Sequence, residues 1–177
     1  DAQNGAFLAW VLELLGRPDV CLMDVSFEGW LGEKREVFYR PVTPCPAAFT
    51  VGAFQAVRAT LHDIQENRDA KLLDVRSQDE YNGDAEIDDR PGRIPGATNL
   101  VWRELLGPGN RLLNLDNNLS QELKNRGIDS DDEVITYCRA GPRAAVAYVA
   151  LQQLGYNVRL YDGSYNQWSS SNMPIEI

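Results

Sequence analysis

Short apolar runs alternate along the chain with segments whose apolar residues recur at helical spacing. The runs are each four or five residues long, which is typical of buried strands. They span residues 71–75, 98–101, 134–137 and 158–161. Helical spacing is clearest in 120–126 and 143–154. Strands that alternate with helices predict an α/β fold with a mainly parallel central sheet flanked by helices on both faces.

Two further helices are predicted around the first of these strands. The earlier one is indicated by apolar residues at helical spacing, namely Phe54, Val57, Leu61 and Ile64. The later one should begin at Ser77, because Glu80 stands at the spacing of a capping box. The polar, acidic stretch 81–93 that follows is predicted to be a surface loop.

A short internal repeat relates residues 12–30 to residues 151–168. In each copy a helix ends in Leu-Gly, a predicted strand ends in Asp, and a Trp follows that Asp. The matched pairs are Leu15/Leu154, Gly16/Gly155, Val20/Val158, Asp24/Asp162 and Trp30/Trp168. We interpret this repeat as the trace of a duplication, with chance similarity of two helix–turn–strand units as the alternative.

The repeat divides the chain into three parts. Residues 1–35 are predicted to be the end of a first unit, 36–50 a proline-rich linker, and 51–177 a complete second unit. We expect the apolar residues of the first helix to form an exposed patch that a companion polypeptide covers. The alternative is a truncated chain that leaves the patch bare. The residues concerned are Phe7, Leu8, Trp10, Val11, Leu12, Leu14 and Leu15.

Composition excludes several classes of partner and site. The chain has 17 Lys and Arg against 26 Asp and Glu, a formal charge of −9, which disfavours binding to nucleic acids or anionic membranes. It contains no run of about 18 apolar residues, so no membrane-spanning helix is predicted. With one His and no Cys-x-x-Cys pair, no metal site is predicted. Residues 1–5 lack the basic region of a secretory signal, and the compartment stays open.

One of the three cysteines stands where chemistry is expected. Cys138 follows the strand at 134–137, and a helix is predicted to begin about four residues later. Backbone N–H groups of a short loop containing Gly141 can converge on one point and bind an anion. The helix N-terminus and the cations of Arg139 and Arg143 act in the same direction. These effects favour a thiolate at Cys138, in contrast to the alternative of an inert, buried strand-end cysteine.

A thiolate in a cationic loop can attack either a phosphoester or a sulfane sulfur. A Cys–His protease is disfavoured, because His62 is the only histidine and lies on a different predicted helix. The residues alone leave the first two chemistries open.

The segment CRAGPR at 138–143 resembles the C-R-x-G-x-R loop of the rhodanese thiosulfate sulfurtransferases. Three further segments resemble motifs of the same family. They are LLDVR at 72–76 with Glu80 and Tyr81, GRIPGA at 92–97 with Arg93 in place of the usual His, and DGS at 162–164 with Trp168. The resemblance covers about residues 50–177. It implies a rhodanese-like catalytic domain, with residues 1–35 as a partial second rhodanese unit from a tandem enzyme.

The resemblance also implies a mechanism and a set of site residues. Cys138 would take the outer sulfur of thiosulfate as a persulfide and pass it to cyanide or a thiol, with no separate cofactor and no metal. The partners would be a small anionic sulfur donor and a nucleophilic acceptor. Arg76, Arg139 and Arg143 would bind the donor, with Arg76 at the rim on the sulfonate. The anion-binding loop would be Ala140, Gly141 and Pro142, with Asp74 supporting Arg139 or the loop backbone.

Three alternatives remain at this point. A phosphatase or an arsenate reductase is disfavoured by loop length, because phosphatases that share this fold carry a seven-residue loop, whereas residues 138–143 form a loop of six. A mercaptopyruvate sulfurtransferase would resemble C-G-S/T-G-V-T, so Arg139 and Arg143 favour an inorganic, doubly charged donor. A non-catalytic rhodanese-like binding or sulfur-carrier module would be free to lose Cys138 or its arginines, and this chain keeps all of them.

Overall fold

A computed structural model of the chain describes residues 2–17, 19–85, 87–107, 113–114 and 117–177. The helices are α1 Ala2–Leu14, α2 Phe27–Gly32, α3 Leu61–Glu66, α4 Gln78–Asn82, α5 Asn117–Asn125, α6 Pro142–Gln153 and α7 Ser164–Ser170, with a 3-10 turn at Trp102–Leu105. The strands are β1 Arg58–Ala59, β2 Lys71–Asp74, β3 Thr98–Asn99, β4 Glu133–Tyr137 and β5 Asn157–Tyr161. Asp1, at the start of the predicted first unit, lies outside the described residues.

The five strands form one sheet in the order β1-β5-β4-β2-β3, and every pairing is parallel. Helices supply apolar residues to two core clusters: α1, α5 and α6 to one, and α3 and α7 to the other. The predicted α/β class, with a parallel sheet flanked by helices, is confirmed. Because all strands run the same way, the carboxyl ends of β2, β4 and β5 meet at one edge, where ligands bind in such sheets.

The helix predicted over Phe54, Val57, Leu61 and Ile64 is wrong in its first half. Arg58 and Ala59 instead form β1 beside β5, and the Val57 carbonyl accepts the backbone N–H of Leu160. The helix α3 begins only after Thr60, whose side chain forms a capping box with Asp63. Hydrogen bonding to the edge of β5 therefore overrides the local helical spacing.

The apolar face of α1 is mostly covered by the same chain, which corrects the expected exposed patch. Ala6 and Trp10 are each only 2% exposed, and α1 packs along α6. Leu8, 60% exposed, points away from that contact. The packing of α1 along α6 buries Trp10 and partly buries Phe7, Val11 and Leu14, which the sequence suggested would need another polypeptide.

The partial repeat is reproduced only in its helices and turns. Gly16 after α1 and Gly155 after α6 both have positive φ, at 79° and 85°, which residues with a side chain rarely adopt. However, the strand predicted at 20–24 does not form, and residues 33–57 contain no helix or strand. The division of the chain at 35 and 50 therefore stays a prediction.

Candidate active site

Cys138 lies at the carboxyl end of β4 and is 1% exposed. Its backbone N–H donates to the hydroxyl of Ser164, 3.2 Å away, and its carbonyl accepts the N–H of Tyr165. The next carbonyl, of Arg139, accepts the N–H of Asn166. The start of α7 thus fixes the backbone on both sides of the cysteine.

Gly141 supplies the hydrogen bond that reaches the sulfur. It precedes α6 with φ of 103°, a backbone conformation that favours glycine, and its N–H donates to the Cys138 Sγ at 3.1 Å. Pro142 is the first residue of α6, where its fixed φ suits a helix start and its missing N–H is not needed. Ala140 is exposed in the turn. Of the predicted loop, Gly141 is thus the residue whose N–H contacts the sulfur.

Arg143 lies beside the sulfur in the first turn of α6 and makes a two-pronged ion pair. Its Nη1 and Nη2 donate to the two carboxylate oxygens of Glu80 at 2.6 and 2.8 Å. The hydrogen bond to Glu80 raises the pKa of Arg143, and its interaction with Cys138 acts in the same direction. The guanidinium therefore keeps its charge next to the thiol, as the sequence indicated.

Glu80 is a member of the site that the sequence analysis placed in a helix cap and a family motif but gave no role at the cysteine. Its carboxylate accepts hydrogen bonds from the backbone N–H and the hydroxyl of Ser77, completing the predicted capping box of α4. Burial raises the pKa of Glu80, but hydrogen bonds from Arg143 and Ser77 outweigh it and lower the pKa to about 2. The residue that closes the cap thus also holds the active-site arginine.

Arg139 turns away from the loop toward the segment at 84–93. Its Nε donates to the Asp88 carboxylate at 2.9 Å, and its Nη2 donates to the carbonyl of Ile87 at 2.9 Å. The Arg139 side chain is 43% exposed, whereas that of Asp88 is 8% exposed. Asp88 was not expected from the sequence, because it is one of several acidic residues in a segment without a regular pattern.

Arg76 does not lie at the rim of the site, so that part of the prediction is wrong. Its side chain and that of Asp74 are both 0% exposed, and its Nη2 donates to Asp74 at 2.6 Å and to the Gly92 carbonyl at 2.7 Å. Burial lowers the pKa of Arg76, but the pairing with Asp74 outweighs it. The ring of Tyr165 stacks on the guanidinium, 4.0 Å from ring centre to Cζ.

Asp74 consequently supports Arg76, and neither Arg139 nor the loop backbone. The physical reason is proximity: the Asp74 carboxylate also accepts the backbone N–H of Arg76, two residues on, which turns both side chains under the sheet edge. An arginine that follows a strand can point to the rim or beneath it, and the sequence does not distinguish these directions.

The other two cysteines differ from Cys138 in position. Cys21 and Cys45 are both exposed, and the strand predicted at 20–24, which would contain Cys21, does not form. Within the described part of the chain, no group of His, Cys, Asp and Glu is arranged to hold a metal ion. In that same part, no helix has the length and apolar character needed to cross a bilayer.

Residues 57–171 match the family described as the rhodanese-like domain, and this span includes β1 to β5 and the Cys138 loop. The chain belongs to this rhodanese family. Curated relatives include a thiosulfate sulfurtransferase of Corynebacterium glutamicum, 32% identical over 97% of this chain and 62% of the relative. Another is a thiosulfate sulfurtransferase of Azotobacter vinelandii, 29% identical over 98% of this chain and 65% of the relative. This rhodanese chain thus spans a little under two thirds of the length of these relatives.

Solved structures agree with the rhodanese fold. A crystal structure of a probable thiosulfate sulfurtransferase is 30% identical, with a TM-score of 0.74, over 97% of this chain and 67% of that one. An EanB variant in complex with ergothioneine has a TM-score of 0.86 at 20% identity, over 97% of this chain and 44% of that one. At that identity the second likeness concerns the fold alone.

Proposed function

We propose that this chain is the catalytic part of a sulfurtransferase that moves the sulfane sulfur of thiosulfate to cyanide or a thiol through a persulfide on Cys138. One observation carries the proposal: the Cys138 sulfur accepts the Gly141 N–H at 3.1 Å, beside the Arg143 guanidinium, at the carboxyl end of a parallel strand. The relatives named as thiosulfate sulfurtransferases support the same reaction.

In the first half-reaction the Cys138 thiolate attacks the outer sulfur of thiosulfate. The new S–S bond forms as the sulfur–sulfur bond of the donor breaks, and sulfite leaves with that electron pair. In the second half-reaction a cyanide or thiolate acceptor attacks the outer sulfur of the persulfide, and the Cys138 thiolate is the leaving group. Splitting the transfer in this way gives ping-pong kinetics.

The loop stabilises the anionic sulfur at each stage. The Gly141 N–H is already directed at the sulfur, so no reorganisation is needed when charge changes there. Arg143 contributes a cation that Glu80 holds in place through two hydrogen bonds. Arg139 is half-exposed, and we propose that it attracts the doubly charged donor to the loop.

Mercaptopyruvate is the alternative donor, and a non-catalytic module is the alternative role. Initial rates of thiocyanate formation from cyanide are measured once with thiosulfate and once with mercaptopyruvate as the donor. The proposal expects a higher kcat/KM with thiosulfate, no activity in Cys138→Ser, and full activity in Cys21→Ser and Cys45→Ser. A wild-type chain that forms no thiocyanate from either donor would favour the binding module.

We also propose that a companion polypeptide contacts the region between α1 and β1. Several large apolar side chains in that region are exposed, although Ala6 and Trp10 of α1 are buried. They are Met23, Phe27, Leu31, Phe38, Tyr39, Val42, Phe49, Val51 and Phe54. Native mass spectrometry of material purified from its source tests this. A second chain bound at fixed stoichiometry is expected, and a stable 19.8 kDa monomer contradicts it.

A further inference from the structure

The ring of Phe7, on the N-terminal helix α1, lies against the active-site loop. A Cβ atom built on Gly141 would lie 3.0 Å from Cε2 and 3.5 Å from Cζ of Phe7, and 3.5 Å from the carbonyl oxygen of Asp162. The position that a side chain would occupy at Gly141 is therefore filled by the aromatic ring and by the backbone just after β5. Phe7 lies outside residues 57–171, which match the rhodanese-like domain.

The residue that Phe7 touches is the one that holds the sulfur. Gly141 directs its N–H at Cys138 Sγ over 3.1 Å, and its φ of 103° lies in a region that the backbone leaves readily unless its surroundings fix it. A hydrogen bond weakens steeply as its angle closes. A small rotation of the Gly141 peptide would thus reduce the stabilisation of an anionic sulfur.

Phe7 can fix that peptide because α1 is itself held firmly. The ring of Phe7 stacks on that of Trp10, with 5.5 Å between ring centres. Trp10 is 2% exposed, and its indole N–H donates to the Val57 carbonyl. Farther along α1, the Glu13 carboxylate accepts the Tyr148 hydroxyl at 3.0 Å. The helix is thus joined to the residue before β1 through Trp10 and to α6 through Glu13.

We infer that Phe7 is a positioning residue for the Cys138 loop, which packs on Gly141 and keeps its N–H directed at the sulfur. The catalytic meaning of this inference rests on the proposed sulfur transfer. The effect of Phe7 on the Cys138 thiol does not depend on that proposal. It makes α1 part of the active site, so that the loop depends on residues outside the rhodanese-like domain.

The test is the pH dependence of Cys138 alkylation by iodoacetamide, in the full chain with Cys21 and Cys45 replaced by Ser. Phe7→Ala should move the midpoint of the alkylation profile to higher pH by about half to one unit, because part of one charge-assisted hydrogen bond is lost. At a pH below both midpoints this is about a three- to tenfold lower thiolate fraction. Greater access to the thiol would raise the plateau of the profile and leave its midpoint unchanged.

The matched control is Leu14→Ala, on the same helix and packed on the same core cluster but at the far end from the loop. It should lower the melting temperature and leave the midpoint unmoved. Phe7→Leu keeps most of the side-chain volume, so its alkylation midpoint should lie close to that of the wild type. This variant also provides a test if Phe7→Ala fails to fold.

Two results overturn the inference: an unchanged midpoint in Phe7→Ala, or an equal shift in Leu14→Ala. The first shows that the ring does not act on the thiol, and the second shows a general effect of loosening α1. If the wild-type protein transfers no sulfur, but Phe7→Ala shifts the alkylation midpoint and Leu14→Ala does not, the proposed function fails and the positioning role stands.

Discussion

The Cys138 loop (residues 138–143) and the end of β2 each contain an arginine that forms an ion pair with a carboxylate. The two pairs lie in different surroundings. Arg143 and Glu80 have side chains that are 22% and 7% exposed, and Arg143 adjoins the thiol. Arg76 and Asp74 are both 0% exposed, with Tyr165 stacked on the guanidinium. The same ion-pair chemistry therefore serves the reacting sulfur in one place and the fold in the other.

The difference follows from where each arginine leaves the backbone. Arg143 stands in the first turn of α6, where its side chain pairs with Glu80 and interacts with the Cys138 thiol. Arg76 follows β2 directly, and Asp74 accepts both its backbone N–H and its guanidinium, which turns it beneath the sheet edge. A cation under the edge can stabilise the fold without contacting a donor. Four changes test this contrast, from the largest expected effect to the smallest.

Replacing Arg76 should act on stability first. Arg76→Met leaves the buried Asp74 carboxylate without its cation, which typically costs about 3–5 kcal/mol in the free energy of unfolding. Urea denaturation measures this loss. For the protein that remains folded, the KM for thiosulfate should be unchanged. A stable Arg76→Met variant with a raised KM for thiosulfate would contradict this account and indicate that Arg76 binds the donor.

Replacing Arg143 should act on catalysis instead. Arg143→Met removes the cation beside the sulfur, and the loss of a charged hydrogen-bonding group is worth about 1.5–3 kcal/mol, or roughly ten- to hundredfold in kcat/KM. Steady-state thiocyanate formation measures this effect. Arg143→Lys keeps the charge but cannot fork onto Glu80, so it should recover only part of the rate. Wild-type kcat/KM in Arg143→Met would contradict the assignment.

Acid should weaken the pair that holds Arg143. The pKa of Glu80 is lowered in the folded chain to about 2, so its contribution to stability is present above its unfolded value of about 4.3 and is lost as pH falls toward 2. The free energy of unfolding of the wild type should therefore decline faster between about pH 5 and pH 2 than that of Glu80→Gln. Asp79→Asn, on the exposed side of α4, is the control and should follow the wild type. Equal slopes for wild type and Glu80→Gln would contradict this account.

The smallest effect is expected at Arg139. Its pair with Asp88 is partly exposed, and such pairs are worth about 0.2–1 kcal/mol. Asp88→Asn removes a negative charge beside Arg139, so the KM for the thiosulfate dianion should fall by up to about fivefold. The neighbouring, exposed Asp89→Asn controls for net charge. A KM that falls equally in both variants would mean that Asp88 has no specific effect.

The sheet and the cysteine were predictable because their signals are local. A short apolar run ending at Tyr137 followed by Cys138, a glycine and a helix start specifies both a buried strand and a loop at its end. The capping box of Ser77 with Glu80 was likewise visible as a spacing. These features depend on residues within a few positions of one another.

The features that sequence analysis missed depend on distant contacts. The backbone before Thr60 pairs with β5, about a hundred residues later, so helical spacing at Val57 gave the wrong element. Trp10 is buried in a helix that packs along α6, a contact that its own periodicity does not show. The partner of Arg139 could not be chosen among the acidic residues of an irregular loop until the fold brought Asp88 to it.

The most direct test of the account is whether Cys138 carries the transferred sulfur. Purified protein is incubated with thiosulfate, freed of excess donor, digested without reductant and examined by peptide mass spectrometry, with Cys138→Ser treated in parallel. The account predicts a gain of one sulfur atom on the peptide containing Cys138, which disappears when cyanide is added and thiocyanate forms. No added sulfur on that peptide, or sulfur on the Cys21 or Cys45 peptide in its place, would contradict it.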